Sequence, residues 1–339
     1  APLFAGLAVY VIAAFAAVFS PNFATLLVLR FVQGMGAAGT RVIATSVVRD
    51  RFGGRAMAEV MSLVFMVFMI IPVVAPAIGQ VILLTGPWEY IFLFMAGLGL
   101  VITIWTFMRL PETLAPEHRR PLRPAVVIDG FRIVLSNRMA IMYGLAGTFI
   151  FGALFGFINT SQQIYVGVYE LGALFPLAFA FQASLMSISS YTNSRMVRRI
   201  GMRRLSHGAI LVFTGMSALW LVLSLTVPMP LWLFMTLLCI IMFMFGWTAS
   251  NMNSLSMEPL GAVAGTASSV FGFIQTAGGA ILGTVTGSFF NGTVTPIAAG
   301  YFIMGLLAIG CVLIAEKGKL FGVGEEYKEG PPPPAAEVH

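Results

Sequence analysis

The sequence predicts an all-α polytopic membrane protein with ten transmembrane helices. Three observations support this fold class. Of the 339 residues, 58% are hydrophobic and only 9% are charged; the apolar residues form ten long runs; and the basic residues occupy alternate connections between the runs. Because a soluble domain carries about 25% charged residues, the composition excludes a soluble enzyme, a nucleic-acid-binding domain and a disordered chain.

Ten apolar runs are long enough to cross a bilayer, which takes about 20 residues in a helix. The predicted spans are 2–20, 22–48, 57–85, 88–108, 139–165, 172–194, 205–226, 230–253, 264–290 and 295–315. A helical core in a soluble protein is disfavoured because the connections between the runs are short. The two cysteines lie inside these runs and the three histidines are scattered, so the sequence predicts no disulfide framework, no metal site and no cofactor.

The basic residues test this topology, because Lys and Arg concentrate on the cytoplasmic side of membrane proteins. One side contains no Lys or Arg at all. Its connections are those near 20–22, 86–88, 166–171, 227–230 and 291–295. The opposite side holds seventeen of the nineteen basic residues, and the other two lie within the second span. A misplaced helix would mix the two sets, so the split supports ten spans with the basic side in the cytoplasm.

The longest internal connection, 109–138, divides the spans into four and six and contains four prolines. Because such a loop joins two helix bundles, we expect an N-terminal bundle in 1–108, a cytoplasmic linker in 109–138 and a C-terminal bundle in 139–316. The last residues, 317–339, include a run of four prolines and are expected to form a disordered cytoplasmic tail.

Polar residues recur in every third span. The first, fourth, seventh and tenth spans are nearly all apolar, whereas the second carries arginine and glutamine, and the fifth and eighth carry amides and hydroxyls. A polar group that faces lipid is costly unless it is satisfied. We therefore expect the second, fifth and eighth spans to line a common cavity and the four apolar spans to face lipid.

The second span places two arginines on one helical face. Arg30 and Arg41 are eleven residues apart, which is about 20° around a helix and about 16 Å along it, and Gln33 and Gly34 flank the same stripe. Either arginine can extend to the membrane interface, Arg41 more easily, or face the cavity, as intramembrane charges generally do. All thirteen acidic residues lie in loops or at helix ends, so no mid-membrane acid is available to pair with Arg30.

The fifth and eighth spans carry neutral polar residues at helical spacing. Asn159, Gln162 and Gln163 share one face of the fifth span, and Thr248 and Asn251 are three residues apart in the eighth. Amides beside a wall rich in Met and Phe suit moderately lipophilic molecules, because Met adapts its shape to different surfaces.

The sixth and ninth spans carry faces that are open to two interpretations. In the sixth, the face with Gln182 and Asn193 is either packing between helices or cavity wall. In the ninth, small residues follow i+4 and i+7 steps and predict close helix packing, and Gln275 beside them is placed to reach the cavity. The small residues are Ser268, Gly272, Gly279, Gly283 and Gly287.

Several segments resemble motifs of one transporter family. Residues 30–38, Arg-Phe-Val-Gln-Gly-Met-Gly-Ala-Ala, are similar to the fourth-helix motif R-x-x-Q-G-x-G-A-A of drug antiporters in the major facilitator superfamily. Residues 72–80 resemble the fifth-helix antiporter motif G-P-x-x-G-G, but Ala75 and Gln80 stand where that motif has glycine. Segments 193–201 and 264–269 look like the bicyclomycin/chloramphenicol-resistance family of drug/proton antiporters.

The resemblance implies the major facilitator fold, which has twelve helices in two halves of six. Because the sequence opens with Ala1 at a membrane span, we expect its ten spans to be the third to twelfth of that fold. The proton-carrying carboxylate is then expected in the absent first helix, and the ten-helix portion is not expected to transport by itself.

The resemblance also implies roles for particular residues. Arg30 is expected to take part in proton coupling, with its neighbours on the same stripe. The expected coupling residues are Arg30, Gln33, Gly34 and Arg41. The expected substrate-cavity residues are Asn159, Gln162, Gln163, Gln182, Thr248, Asn251 and Gln275.

Two further segments receive roles from the family. Pro72, Pro76 and Gly79 are expected to bend the third span and to seal the cavity against leak. The basic loop after the sixth span is expected to gate the cytoplasmic side by pairing with acids in one conformation. Its expected gating residues are Arg195, Arg198, Arg199 and Gly201.

The sequence therefore predicts a secondary active transporter, a proton-coupled exporter of small drug-like or metabolite molecules across the bacterial inner membrane. The alternative is an uncoupled facilitator or small-metabolite exporter of the same fold. A membrane-embedded enzyme is disfavoured because no catalytic cluster occurs at helical spacing, and a nucleotide-driven pump would need a G-x-x-x-x-G-K-[ST] loop, which is absent from the sequence. We expect a monomer that contacts substrate, protons and lipid and binds no nucleic acid.

Overall fold

The computed structural model describes residues 2–51, 71, 74–75, 77–110 and 124–322. Every regular element within these ranges is a helix, which confirms the predicted all-α class. The chain divides into two compact units, Ala1–Leu122 and Arg123–His339, whose boundary falls inside the segment 109–138.

The described residues of unit 1 form the following helical segments. They are α1 (Pro2–Val18), α2 (Phe23–Arg51), α3 (residues 77–85) and α4 (Glu89–Arg109). α1 packs against both α2 and α4 and buries the small side chains of Ala13, Ala14 and Ala17. Most of the predicted third span lies outside the described residues.

Glycine lets α1 and α2 touch through their backbones. A Cβ atom built at Gly36 would lie 2.6 Å from the Gly6 carbonyl oxygen and 2.7 Å from the Tyr10 backbone nitrogen. Small residues allow this close approach between membrane helices. Gly34, two residues earlier, faces open space, so the two glycines of the Gln-Gly-Met-Gly stretch have different surroundings.

Unit 2 contains the remaining helices. They are α5 (Pro124–Ser136), α6 (Arg138–Gln162), α7 (Phe175–Ile200), α8 (Met202–Thr226), α9 (Leu231–Met257), α10 (Ala264–Phe273), α11 (Gly279–Ser288) and α12 (Thr295–Ala315). Two π-helical turns interrupt them: Gln163–Val168 continues α6, and Ile274–Gly278 joins α10 to α11.

The polar fifth and eighth predicted spans form the interior of unit 2. In an apolar 18-residue stretch of each span, 56% of the residues are buried in the span of α6 and 44% in the span of α9. The corresponding share in the span of α7 is 22%. α8 packs on α9, and α12 packs on both α6 and α8. α6 and α9 are therefore the helices around which this bundle is built.

Within the described residues, eight helices are long and apolar enough to cross a membrane, and α1 is a shorter apolar helix. One of the ten predicted spans falls mostly outside these residues, so the count of ten stays a prediction. The expectation that the second, fifth and eighth spans share one cavity also stays a prediction.

The basic segment after the sixth predicted span is helix rather than loop. α7 continues to Ile200 and α8 begins at Met202, which leaves Gly201 alone between them. Its φ of +88° lies in the left-handed region that favours glycine. Arg195 and Arg199 therefore belong to the last turns of α7, because arginine is a good helix former beyond the apolar run.

The small-residue face predicted for the ninth span is interrupted. A Cβ atom at Gly283 would lie 2.6 Å from the Gly156 backbone nitrogen of α6, whereas Gly272 faces open space and Ser268 is exposed. The π turn Ile274–Gly278 lies between the two halves. Because a π turn takes an extra residue, i+4 and i+7 steps leave the face on crossing it.

The described chain continues past α12 to residue 322. Leu320 packs against the apolar core of unit 2, and the Phe321 backbone N–H donates to His207 Nδ1 at 3.0 Å. Residues 317–322, which the sequence assigned to a disordered tail, are thus folded against unit 2. We call them the tail segment. The tail segment is held by buried His207, and the composition of the tail gave no indication of this contact.

Candidate functional site

Two contacts within unit 1 hold the Arg30 guanidinium. Nη1 donates to Gln33 Oε1 at 2.7 Å, and Cζ lies 5.6 Å from the centre of the Phe92 ring on α4. Gln33 is 1% exposed, so it fixes the cation against the helix body, and the ring face attracts the positive charge. Among the described residues, no carboxylate lies within ion-pair distance of Arg30.

Two buried polar atoms of unit 1 have no hydrogen-bond partner within the described parts of the chain. They are Gln33 Nε2 and Glu89 Oε2. Glu89 begins α4, one turn before Phe92. From sequence alone, Glu89 is only an acid at a helix end. Its closeness to Phe92 becomes relevant because Phe92 contacts Arg30 in the structure. Unpaired buried polar atoms require a functional or solvent explanation.

The other candidates in unit 1 are less closely surrounded or are not described. Gly34 and Gly79 face open space. The Arg41 side chain, Pro72 and Pro76 lie outside what the structure describes. Their predicted roles in coupling and in sealing the cavity stay predictions.

Three amide side chains form a polar surface on unit 2. Asn159, Gln162 and Gln163 are exposed, and their helix changes at this point from the regular α6 to the π turn Gln163–Val168. π turns inside helices frequently mark functional sites. We call these three residues the amide surface.

The two candidates on α9 lie inside unit 2. Asn251 is 2% exposed, and its Nδ2 donates to Asn193 Oδ1 on α7 at 2.7 Å. Thr248 is fully buried, and its hydroxyl donates to the Met244 carbonyl one turn earlier. The sixth-span face, left open between packing and cavity wall, packs α7 against α9 at Asn193.

Removing one amide of this pair is expected to destabilise the protein. Asn251→Ala leaves Asn193 buried without its partner, so we expect the free energy of unfolding to fall by about 1–3 kcal/mol. Replacing both residues with leucine is expected to restore most of that loss, because neither site then needs a hydrogen bond. Thermal unfolding in detergent measures both effects; equal losses in the single and double variants would contradict the packing role.

Gln182 and Gln275 are also buried in unit 2. Gln182 is completely buried on α7, and its Nε2 lies 3.9 Å from Met235 Sδ. Gln275 fills a notch in α6, where its Nε2 lies 2.9 Å from the position of a Cβ at Gly147. Three of the seven predicted cavity residues therefore reach the surface of unit 2. Whether the seven residues line a substrate cavity stays a prediction.

The arginines predicted to gate the transporter have few partners in unit 2. The Arg195 guanidinium lies over the Tyr191 ring, 4.7 Å from its centre, and Arg199 is exposed. The Arg198 side chain is outside the described part. Their gating role stays a prediction.

Arg203, which the sequence analysis did not single out, forms two ion pairs. Its Nε lies 2.9 Å from Glu316 Oε1 and its Nη2 lies 3.2 Å from Glu258 Oε2. These contacts join the start of α8 to the residues that follow α9 and α12. The sequence contained one signal for these ion pairs. Glu258 and Glu316 follow the eighth and tenth predicted spans, on the same side of the membrane as the basic segment.

Comparison with known proteins identifies the family. The model of the Major Facilitator Superfamily matches residues 2–284. The chain belongs to the major facilitator superfamily. It is therefore a multi-pass membrane transporter of small molecules rather than an enzyme, and the resemblance drawn from the sequence motifs is confirmed.

Relatives in this superfamily carry drug-resistance names. The chain is 31% identical to a bicyclomycin resistance protein homolog of Haemophilus influenzae over 85% of this chain and 70% of that protein. It is 29% identical to the multidrug resistance protein MdtL of Klebsiella pneumoniae strain 342 over 75% of this chain and 63% of that one.

Solved structures share the fold at low sequence identity. A bacterial homologue of the human lysosomal transporter Spinster, in an inward-facing conformation, matches with a TM-score of 0.67 at 14% identity, over 93% of this chain and 81% of that chain. The transporter FucP in an outward conformation matches with a TM-score of 0.63 at 15% identity, over 94% of this chain and 82% of that chain. These matches confirm the major facilitator fold.

Proposed function

We propose that this transporter exports small drug-like or metabolite molecules across the bacterial inner membrane in exchange for protons. The observation that carries the proposal is Arg30, a cation within an apolar helix that is held by Gln33 and Phe92. An intramembrane charge marks an ion or substrate pathway by default. The resistance proteins among the relatives support drug-like cargo.

A protonatable carboxylate that approaches Arg30 in one conformation would couple the two movements. When ionised, it would pair with the cation; when protonated, it would release the cation and change the charge that the substrate meets. We propose Glu89 as a candidate for this role, since it lies one turn from Phe92 and its Oε2 is buried without a hydrogen-bond partner among the described residues.

The amide surface is proposed to contact the substrate. Exposed amides in a membrane-spanning helix are costly against lipid, so Asn159, Gln162 and Gln163 fit a face that meets water or a polar molecule. Neutral amides donate and accept hydrogen bonds without adding charge. This suits neutral or cationic cargo of moderate lipophilicity. The transporter is proposed to act as a monomer without nucleic acid.

The uncoupled facilitator remains the second candidate, and one assay separates the two. Inverted membrane vesicles that contain the full-length transporter are loaded with an acidic interior, and uptake of labelled bicyclomycin and of a panel of neutral and cationic drugs is followed. Exchange predicts uptake that stops when the pH gradient is dissipated. Uptake that ignores the gradient would favour the facilitator, and no uptake of any compound would contradict export.

Alanine at the amide surface is expected to weaken substrate affinity. Asn159→Ala and Gln162→Ala each remove a hydrogen-bonding group, so we expect the apparent KM to rise roughly five- to tenfold, as loss of about 1 kcal/mol implies. Thr236→Ala is the matched control, because Thr236 is exposed on α9 and its hydroxyl bonds the carbonyl of its own helix. An unchanged KM in both amide variants would contradict the assignment.

A further inference from the structure

Unit 2 also contains a cluster of titratable side chains around His207, none of which belongs to the amide surface. His207 on α8 is fully buried. Its Nδ1 accepts from the Phe321 N–H at 3.0 Å, and its Nε2 lies 3.0 Å from Tyr143 Oη. Tyr143 Oη donates to Glu316 Oε1 at 2.6 Å, which also accepts from Arg203 Nε at 2.9 Å. One series of hydrogen bonds thus connects the tail segment with the ion pairs of α8.

The direction of each bond fixes the protonation of His207. A backbone N–H can only donate, so Nδ1 carries a lone pair towards Phe321. In a neutral imidazole the other nitrogen then carries the proton, and Nε2–H donates to Tyr143. The tyrosine hydroxyl is left to donate to Glu316, which accepts as a carboxylate. Neutral His207 therefore satisfies every member of the series.

We propose that His207 is a proton-binding site that ties the tail segment to unit 2 when neutral and releases it when protonated. A proton on Nδ1 would point at the Phe321 N–H, so that two donors would face each other. The bond that holds the tail segment is then lost. The site responds to pH on the side where the tail segment lies, independently of the proton exchanged in transport.

Among the described residues, the acids near His207 are already engaged in ion pairs. The nearby charged and titratable groups are Arg138 and Tyr143 on α6, Arg203 on α8, Glu258 after α9, Glu316 after α12, and Lys317 and Lys319 in the tail segment. Both acids already pair with Arg203, and Arg203 lies one turn before His207 on the same helix. A second cation there would weaken those pairs and favour release of the tail segment.

Three residues of the tail segment have backbone φ angles in the left-handed region. Lys317 and Phe321 have φ values of +54° and +61°, and Gly318 has +81°. Non-glycine residues disfavour this left-handed region and persist there only when their surroundings hold them. The Phe321 ring also contacts His207 edge-on, with ring centres 5.8 Å apart. The Gly318 and Lys319 N–H groups donate to carbonyls at the end of α12, so loss of the His207 contact frees the end of the tail segment at Phe321, which is held away from its preferred conformation.

Hydrogen exchange of the tail segment tests the proposal in the intact protein. In detergent micelles, exchange of the peptide that covers Phe321 is measured by mass spectrometry at about pH 8 and about pH 5, and corrected for the intrinsic pH dependence of exchange. Protection in the wild-type protein is expected to fall by roughly tenfold or more at the lower pH, because the closed state is lost as His207 takes up a proton. Equal protection at both values would overturn the proposal.

The variant His207→Gln assigns the effect, because its amide can accept from Phe321 and donate to Tyr143 but does not titrate. We expect its protection to be independent of pH, and a wild-type pH dependence in this variant would overturn the proposal. If the variant fails to fold, ¹³C-labelled histidine in the wild-type protein provides the second readout. His207 must then titrate at the pH at which protection is lost, and a mismatch would overturn the assignment.

Discussion

In the full-length transporter, Arg30→Ala is expected to abolish proton-driven efflux while leaving folding and insertion largely intact. The substitution removes the cation that contacts Gln33 and Phe92. Protonation of a nearby carboxylate would then no longer break an ion pair in the site. Arg30→Lys is expected to retain part of the activity, because the charge remains but the planar fork of donors is lost. Drug uptake into inverted vesicles under an imposed pH gradient, at matched expression, measures both.

Arg41→Ala is the matched comparison on the same helical stripe. Arg41 lies closer to the end of α2 and can extend to the interface, so its loss is expected to be milder. Full efflux by Arg30→Ala, or a larger loss from Arg41→Ala than from Arg30→Ala, would overturn the assignment of Arg30.

The contrast between Arg30 and Arg203 follows from their partners. Arg203 lies between two carboxylates, so its charge is compensated within unit 2. In the part of unit 1 that the structure describes, Arg30 contacts an amide and an aromatic ring instead, which stabilise a cation without neutralising it. An uncompensated cation is the one whose energy changes most when a nearby carboxylate gains or loses a proton.

The membrane helices and the family were predictable because both leave local signals. A span is a run of apolar residues whose length matches the bilayer, and the stretch from Arg30 to Gly36 is contiguous in sequence. The polarity of the fifth and eighth spans predicted that they face an interior shared with the second span. In unit 2 the spans of α6 and α9 have the largest buried shares, and the common cavity stays a prediction. Each of these features depends on composition within one segment.

Contacts between helices were not predictable from the same signals. Asn193 and Asn251 meet across α7 and α9 because of how each helix is rotated, and hydropathy does not encode rotation when lipid and core are both apolar. The π turn at Ile274–Gly278 shifted the face of α10 relative to α11. The partner of His207 lies in a segment whose composition alone indicated disorder.

Gly283→Val is expected to disrupt the packing of α11 against α6. A Cβ atom at Gly283 would lie 2.6 Å from the backbone of Gly156, and backbone atoms cannot turn aside as a side chain can. The helices would have to separate, so we expect the free energy of unfolding to fall by about 3 kcal/mol or the protein not to fold, at the upper end of overpacking effects. Gly283→Ala is expected to show a smaller loss in the same direction.

Gly272→Val is the control, since the same substitution one helix earlier on α10 meets open space and is expected to change stability by no more than about 0.5 kcal/mol. Unfolding is followed in detergent with a thiol-reactive dye, because the free cysteines Cys239 and Cys311 are half-buried and become accessible as the bundle opens. Similar unfolding temperatures for the two valine variants would contradict the close crossing of α6 and α11. A loss confined to Gly283 would place that crossing among the contacts that hold unit 2 together, in agreement with the interruption of the small-residue face at the π turn.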